Sequence, residues 1–308
     1  LLNKRLGQIS EGKEAWLKHS QKYKDGRIHG SVITNACVSG RCSHRSPNMG
    51  QIVSVGHKYG AECRALFYAP YGWVLVGADA SGLELRALGA QLAYFDGGEY
   101  SKLVSNEGFD IHTYNAQLFG IFDGKGEIKK ATRDLAKTLI YAVLYGGGAK
   151  RVGSIMDVTL SEREQQDIGR ETINTFYKNL PAIKKLKDKV DERVVDRGYL
   201  KGIDGRHLQI RSRHSALNQL LQSTGAIAVK KATCILFNDL YEAGMRWGCH
   251  FGFVAHVHDE IQAVVKPQFT TIYKDLAINC FNKAGKFYNL KCPLTGEAKE
   301  GKNWMETH

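Results

Sequence analysis

No apolar run in the 308 residues approaches the ~20 needed to cross a bilayer, so no membrane span is expected. The opening Leu1-Leu2-Asn3-Lys4-Arg5 has neither the apolar core of a signal peptide nor an initiating Met, which reads as a piece of a longer chain. Acidic residues are scarce beside basic ones, 31 against 43, for a net charge of +12. That imbalance points to a polyanionic partner, nucleic acid first, although a merely basic soluble protein would also show it. The seven cysteines are odd in number and lack paired spacing, which fits reduced thiols in a cytoplasmic setting. Cys37, Cys42 and His44 are not joined by a second Cys-x-x-Cys, so no zinc site is expected. There is no internal repeat and no low-complexity tract. With 43% hydrophobic and 24% charged residues, the chain is long enough for one large or two modest folded domains.

The pattern of elements is mixed helix and strand. Residues 1–30 are charged, helix-compatible and stopped by Asp25-Gly26. Residues 28–52 suit short strands and loops, punctuated by Ser39-Gly40-Arg41 and Pro47-Asn48. Residues 73–78 form a continuous apolar run, the pattern of a strand buried on both faces. Ser81-Gly82-Leu83-Glu84 has the spacing of a capping box, and Leu85, Leu88, Gln91 and Leu92 continue a helix. From Asp110 to about Arg197 the chain reads as almost wholly helical. There, 131–145 is a helix stopped by Gly146-Gly147-Gly148, and Lys184, Lys185, Lys187 and Lys189 decorate another. Asp204-Gly205 turns one hairpin and His258-Asp259 a second. Helices over about 215–243 and 270–284 and a strand-like tail complete the pattern.

Three features carry chemistry. Asp79 and Asp259 each follow an apolar strand, and each alone would equally suit a cap or turn. As a pair brought together they would repel unless a cation lay between them. Mg²⁺ suits such a pair, because it takes few protein carboxylates and completes its shell with water and phosphate oxygens, and the Ala80 carbonyl is a further donor. Arg133, Lys137, Tyr141 and Tyr145 recur at steps of four residues and share one helix face. Arg and Lys hold phosphate, and the tyrosines can pack on base or sugar; a solvated amphipathic face would explain the cations but not two aromatics in line with them. Glu84 is either a capping partner of Ser81 or a residue facing the substrate sugar. His112, alone in Asp110-Ile111-His112-Thr113, would by itself more often be structural.

Together and in this order, these segments resemble the family-A, polymerase I-like DNA polymerases, of the short-tailed bacteriophage replicative type. Asp79 to Arg86 resembles motif A, Arg133 to Gly146 motif B, and Val257-His258-Asp259-Glu260 motif C. Val38 to Arg41, Pro47 to Ile52 and Leu217 to Ser223 add to the likeness, which runs from about Arg5 to His308. The resemblance implies an α+β right-hand polymerase fold: an antiparallel palm sheet with packed helices over 31–108 and 199–308, helical fingers over 109–198, and the end of a thumb over 1–30. It implies a DNA-templated DNA polymerase in phage-type replication, with primer–template DNA and dNTPs as partners and two Mg²⁺ ions as cofactors. By the same resemblance Asp79, Ala80 and Asp259 hold metal, and Lys137 also protonates pyrophosphate. His112, Arg133 and Lys137 meet the triphosphate, and Tyr141, Tyr145 and Glu84 meet the nucleotide, Glu84 excluding ribose. Arg41, Gln51, Asn218, Gln222, His258 and His308 would contact DNA or lie beside the catalytic centre.

Departures from the family pattern set further expectations. Most of the thumb is missing, so grip on duplex and on a processivity factor should be weak. No Asp-x-Glu tripeptide occurs, so no proofreading exonuclease is expected in these residues. A single-subunit RNA polymerase shares the palm, with Glu84 arguing for deoxynucleotides. A non-catalytic DNA-binding remnant is the alternative of a different class.

Overall fold

The computed structural model describes residues 1–123 and 128–308. In chain order these form α1 (Leu2–Leu6), α2 (Trp16–Gln21), β1 (Ser31–Ile33), β2 (Ser43–Arg45), α3 (Gly60–Ala65), β3 (Val74–Ala80), α4 (Leu83–Asp96), α5 (Glu99–Ser105), α6 (Ile111–Phe119), α7 (Lys130–Leu144), α8 (Ala149–Met156), α9 (Glu162–Asn179), α10 (Pro181–Arg197), β4 (Tyr199–Lys201), β5 (His207–Gln209), α11 (Ala216–Glu242), β6 (Phe251–Val257), β7 (Glu260–Val265), α12 (Thr270–Phe287) and β8 (Gly296–Gly301). The fold is α+β, as expected. Two compact units divide the chain: one holds 1–83, 225–289 and 294–308, the other 84–224 and 290–293.

The first unit is built on a four-stranded sheet in the order β6-β7-β3-β8, antiparallel throughout. The apolar run sits at β3, an inner strand, with Leu75, Val76, Ala78 and Ala80 buried. Gly77 on β3 is required by close packing, since a Cβ there would collide with the Gln262 amide and the Thr307 carbonyl. Helix α12 packs on β3 and β8 and buries Tyr273, Ala277, Cys280, Phe281 and Ala284. Burying one large apolar side chain contributes about 1.5–3 kcal/mol, so this helix face is a main source of the unit's stability. A further core joins Trp16, Ile52, Cys63, Leu75, Val257 and Trp304. The register of β6 slips between Phe253 and Ala255, a bulge that leaves Val254 exposed.

The second unit is mostly helical. Helices α6 and α7 pack together, as do α8 and α9, and Phe119 stacks on Phe176 with ring centroids 4.4 Å apart. Ser161 and Glu164 close a reciprocal capping box at the start of α9. Pro181 opens α10, and Gly198 ends it with φ of 74°. The β4–β5 hairpin forms about Asp204-Gly205 as expected. Helix α7 stops at Leu144, and Gly146 follows with φ of 77°, where a Cβ would overlap the His214 carbonyl.

Candidate functional site

Sheet pairing brings the two aspartates of the first unit to one end of the β3–β7 ladder. Asp79 stands opposite Glu260 in the register, and the Ala80 amide donates to the Asp259 carbonyl at 3.2 Å. Asp259 lies in the tight turn between β6 and β7, which His258 enters with φ of 58°. Asp79 is open to solvent, yet its carboxyl is flanked by protein and by other acids. Burial lifts its pKa, and Asp259 and Glu260 lift it further, to about 7, while His308 acts the other way. Burial raises Asp259 as well, against Arg41 and His258. His258 is held below the usual histidine value by burial and then by Arg41.

Adjacent carboxyls that resist ionising together mark a place where a cation is favoured. Among the described residues no group of three or more His, Cys, Asp or Glu side chains converges on a metal position. Two carboxylates with a backbone carbonyl are nevertheless the donor set a Mg²⁺ ion accepts when substrate phosphate and water complete its octahedron. The residues present therefore fit a hard divalent ion. Cys37, Cys42 and His44 do not assemble into a zinc site.

A buried polar network stands behind the pair. Glu260 and Arg64 are each only 4% exposed, with Nη1 3.7 Å from the carboxylate. Trp304 Nε1 donates to Glu260 at 2.8 Å, and the Gln262 amide donates to the same oxygen. Thr307 Oγ1 donates to Gln262 at 3.1 Å, and His308 Nδ1 lies 3.4 Å from Glu260. The Arg64 guanidinium covers the Trp304 ring at 4.7 Å. Burial pushes the Glu260 carboxyl up, but the donors His308, Gln262 and Trp304 prevail and hold it below the usual range. Residues 304–308 are thereby tied to β7.

The second unit carries the basic face. Arg133, Lys137 and Tyr141 lie on α7, and Tyr145 caps its end. Arg133 Nε donates to Asp110 at 2.6 Å. The His112 and Tyr141 rings are 6.4 Å apart, and Tyr141 and Tyr145 are 6.1 Å apart. Burial and then the charges of Lys137 and Arg133 hold His112 below the usual histidine value. The Tyr145 hydroxyl lies 2.7 Å from each oxygen of Glu84. Helix α4 begins at Leu83, after Gly82 at φ 58°, and Ser81 Oγ is 3.4 Å from the Glu297 carboxylate. Asn218 and Gln222 are one turn apart on α11, and Asn218 Oδ1 is buried without a partner among the described residues.

Of the site residues expected from sequence, Arg41, Gln51, Asp79, Ala80, His258, Asp259 and His308 belong to the first unit. Glu84, His112, Arg133, Lys137, Tyr141, Tyr145, Asn218 and Gln222 belong to the second. Arg64, Asp110 and the role of Glu260 were not foreseen. Asp110 had a signal, an Asp just before a helix; Arg64 had none.

Comparison with known proteins places the chain in a family. The family model of DNA polymerase family A matches residues 6–306. The chain is 37% identical to the DNA-directed DNA polymerases of Enterobacteria phage T3 and Escherichia phage T7, over 100% of its own length and 45% of theirs. It is 28% identical to DNA polymerase I of Chloroflexus aurantiacus, over 92% of this chain and 29% of that one. The chain thus spans under half the length of these relatives. Its fold is similar to the POL domain of Pol1 from M. smegmatis, solved in complex with DNA primer-template and dNTP, with TM-score 0.77 and 22% identity over 94% of this chain and 50% of that one. With a matched family model over nearly its whole length and its motif residues set on the strands and helices described, the chain belongs to DNA polymerase family A.

Proposed function

We propose that this chain is the catalytic core of a DNA-templated DNA polymerase that adds dNTPs to a primer 3′-hydroxyl. The observation that carries the reading is the Asp79–Asp259 pair at one end of the β3–β7 ladder, where burial first, and then the neighbouring charges of Asp259 and Glu260, lift Asp79 to about 7. Asp79 and Asp259, with the Ala80 carbonyl, are the residues to hold two Mg²⁺ ions. When bound there, the metal would supply Lewis-acid activation of the primer hydroxyl and neutralisation of triphosphate charge. Arg133 engages phosphate oxygens through its planar fork, and Lys137 adds a point charge and gives a proton to pyrophosphate. His112 supplies a further phosphate contact. Tyr141 packs near the incoming sugar, and Tyr145 stacks near the templating base. Glu84 occupies the space a 2′-hydroxyl would need. Asn218 and Gln222 read minor-groove acceptors, which are alike for every base pair, while Arg41, Gln51, His258 and His308 hold primer–template.

In this reading 31–108 and 199–308 act as palm, 109–198 as fingers and 1–30 as the end of a thumb. Proofreading, a fuller thumb and a processivity factor would come from outside these residues. A host-cytoplasmic location belongs to the same reading; among the described residues no helix is long and apolar enough to cross a membrane. Extension of a labelled primer–template with Mg²⁺ and dNTPs, with Asp259→Asn as control, tests the reading. Extension by wild type alone supports it; equal extension by both proteins removes the role given to Asp259. DNA binding with no extension by either favours a non-catalytic remnant, and a preference for NTPs favours an RNA polymerase.

A further inference from the structure

Asp110 carries three interactions at once. It caps α6, its Oδ1 accepting from the His112 amide at 3.1 Å. Its Oδ2 accepts from Thr113 Oγ1 at 2.7 Å and from Arg133 Nε at 2.6 Å. One carboxylate therefore joins the first turn of α6 to the guanidinium on α7. Both residues that it holds, His112 and Arg133, belong to the basic face read above as the seat of the triphosphate.

We propose that Asp110 is a positioning residue that fixes Arg133 and His112 in their triphosphate-binding arrangement before nucleotide arrives; the inference rests on the polymerase reading of that face. An acid beside a polyphosphate is unfavourable by Coulomb's law alone, so its presence calls for a compensating role. The geometry supplies one. Arg133 spends Nε on Asp110, which orients the two terminal nitrogens as the edge able to meet phosphate oxygens bidentately. Those nitrogens have weak competition: Nη1 lies 3.4 Å from the exposed Asp134. Asp110 holds His112 through its backbone amide in the first turn of α6, and the Nδ1 of its ring is buried without a hydrogen-bond partner among the described residues. A long, flexible arginine held in this way loses less freedom on binding than one ordered by the ligand itself.

The alternative is that Asp110 only caps a helix. Asp110→Asn separates the two roles, because Asn caps as well as Asp but lacks the charge that grips the guanidinium. Single-nucleotide insertion is measured for wild type, Asp110→Asn, Arg133→Ala and the double variant, with the melting temperature and primer–template Kd of each. The expected result is a rise in KM for dNTP of about ten- to a hundredfold in Asp110→Asn, the scale of one charge-assisted hydrogen bond, with kcat, melting temperature and DNA affinity little changed. In the Arg133→Ala background the same substitution should change KM by less than about threefold, because coupled residues are not additive. Equal effects in both backgrounds, or none in either, overturn the inference. If wild type extends no primer, the polymerase reading fails separately, and the same four proteins are titrated calorimetrically with inorganic tripolyphosphate and Mg²⁺. Non-additive losses of affinity there would still support Asp110 as the residue that positions Arg133, and additive or absent losses would overturn it.

Discussion

The Tyr145 hydroxyl lies 2.7 Å from each carboxylate oxygen of Glu84, tying the end of α7 to the first turn of α4. Tyr145 is exposed and Glu84 half-buried, so the contact contributes little to stability and acts on orientation instead. Tyr145→Phe should leave the melting temperature within a degree or two and loosen Glu84. On the polymerase reading, the dNTP-over-NTP ratio of kcat/KM should then fall about tenfold, and further in Glu84→Ala, where the side chain that excludes a 2′-hydroxyl is gone. An unchanged ratio in both variants would remove Glu84 from sugar selection.

Asp79 gives a pH dependence whose sign follows from linkage. Its carboxyl ionises near 3.8 when unfolded and at about 7 when folded and metal-free. Between these values the folded state binds the extra proton, so its contribution to stability declines as pH rises from about 4 to about 7 and then levels off. Mg²⁺ favours the ionised form. Mg²⁺ should therefore raise the melting temperature at pH 8 more than at pH 5, and Asp79→Asn should abolish the difference. Thermal melts with and without Mg²⁺ at the two pH values measure this, and an equal Mg²⁺ effect at both would count against a metal-binding Asp79.

Trp304 and Glu260 are buried partners joined at 2.8 Å. Trp304→Phe keeps most of the ring but removes the donor, which should cost about 1.5–3 kcal/mol, the range for hydrogen bonds to charged groups. Glu260→Leu strands the buried Arg64 and should cost more, about 3–5 kcal/mol. Urea unfolding reads both. A smaller loss for Glu260→Leu than for Trp304→Phe would mean that the Arg64 charge is satisfied elsewhere.

Gly296 pairs with Ala80 in the β3–β8 ladder. A Cβ there would run into the Phe281 ring and approach the Asp79 carbonyl to 3.1 Å. Gly296→Ala should destabilise by about 1–3 kcal/mol through overpacking. Phe281→Ala should cost about 3–5 kcal/mol through the cavity left behind. Combining Gly296→Ala with Phe281→Leu should recover part of the first loss. Fully additive losses would mean that the clash lies with the backbone rather than the ring.

The sequence by itself determined the local elements, because those depend on near neighbours. The apolar run at 73–78 became β3, the Asp204-Gly205 and His258-Asp259 turns became hairpins, and the glycine stop at 146 ended α7 within a residue of its expected place. The four-residue spacing of Arg133, Lys137, Tyr141 and Tyr145 set one face in advance, since helical periodicity is fixed by backbone geometry. It also held the family motifs that name the two aspartates. Tertiary structure decided what those residues meet. Register is a matter of long-range pairing, and only the β3–β7 ladder sets Asp79 opposite Glu260, where burial first and then the acids Asp259 and Glu260 lift its pKa. Ser81 Oγ reaches Glu297 and the Glu84 carboxylate meets Tyr145, partners distant in sequence that no local spacing encodes. Arg64, far from every motif, joins Trp304 and Glu260 because burial of a charge demands a partner wherever the chain supplies one. Asp110 looked like a helix start and became the anchor of Arg133, a contact 23 residues away that no local pattern encodes.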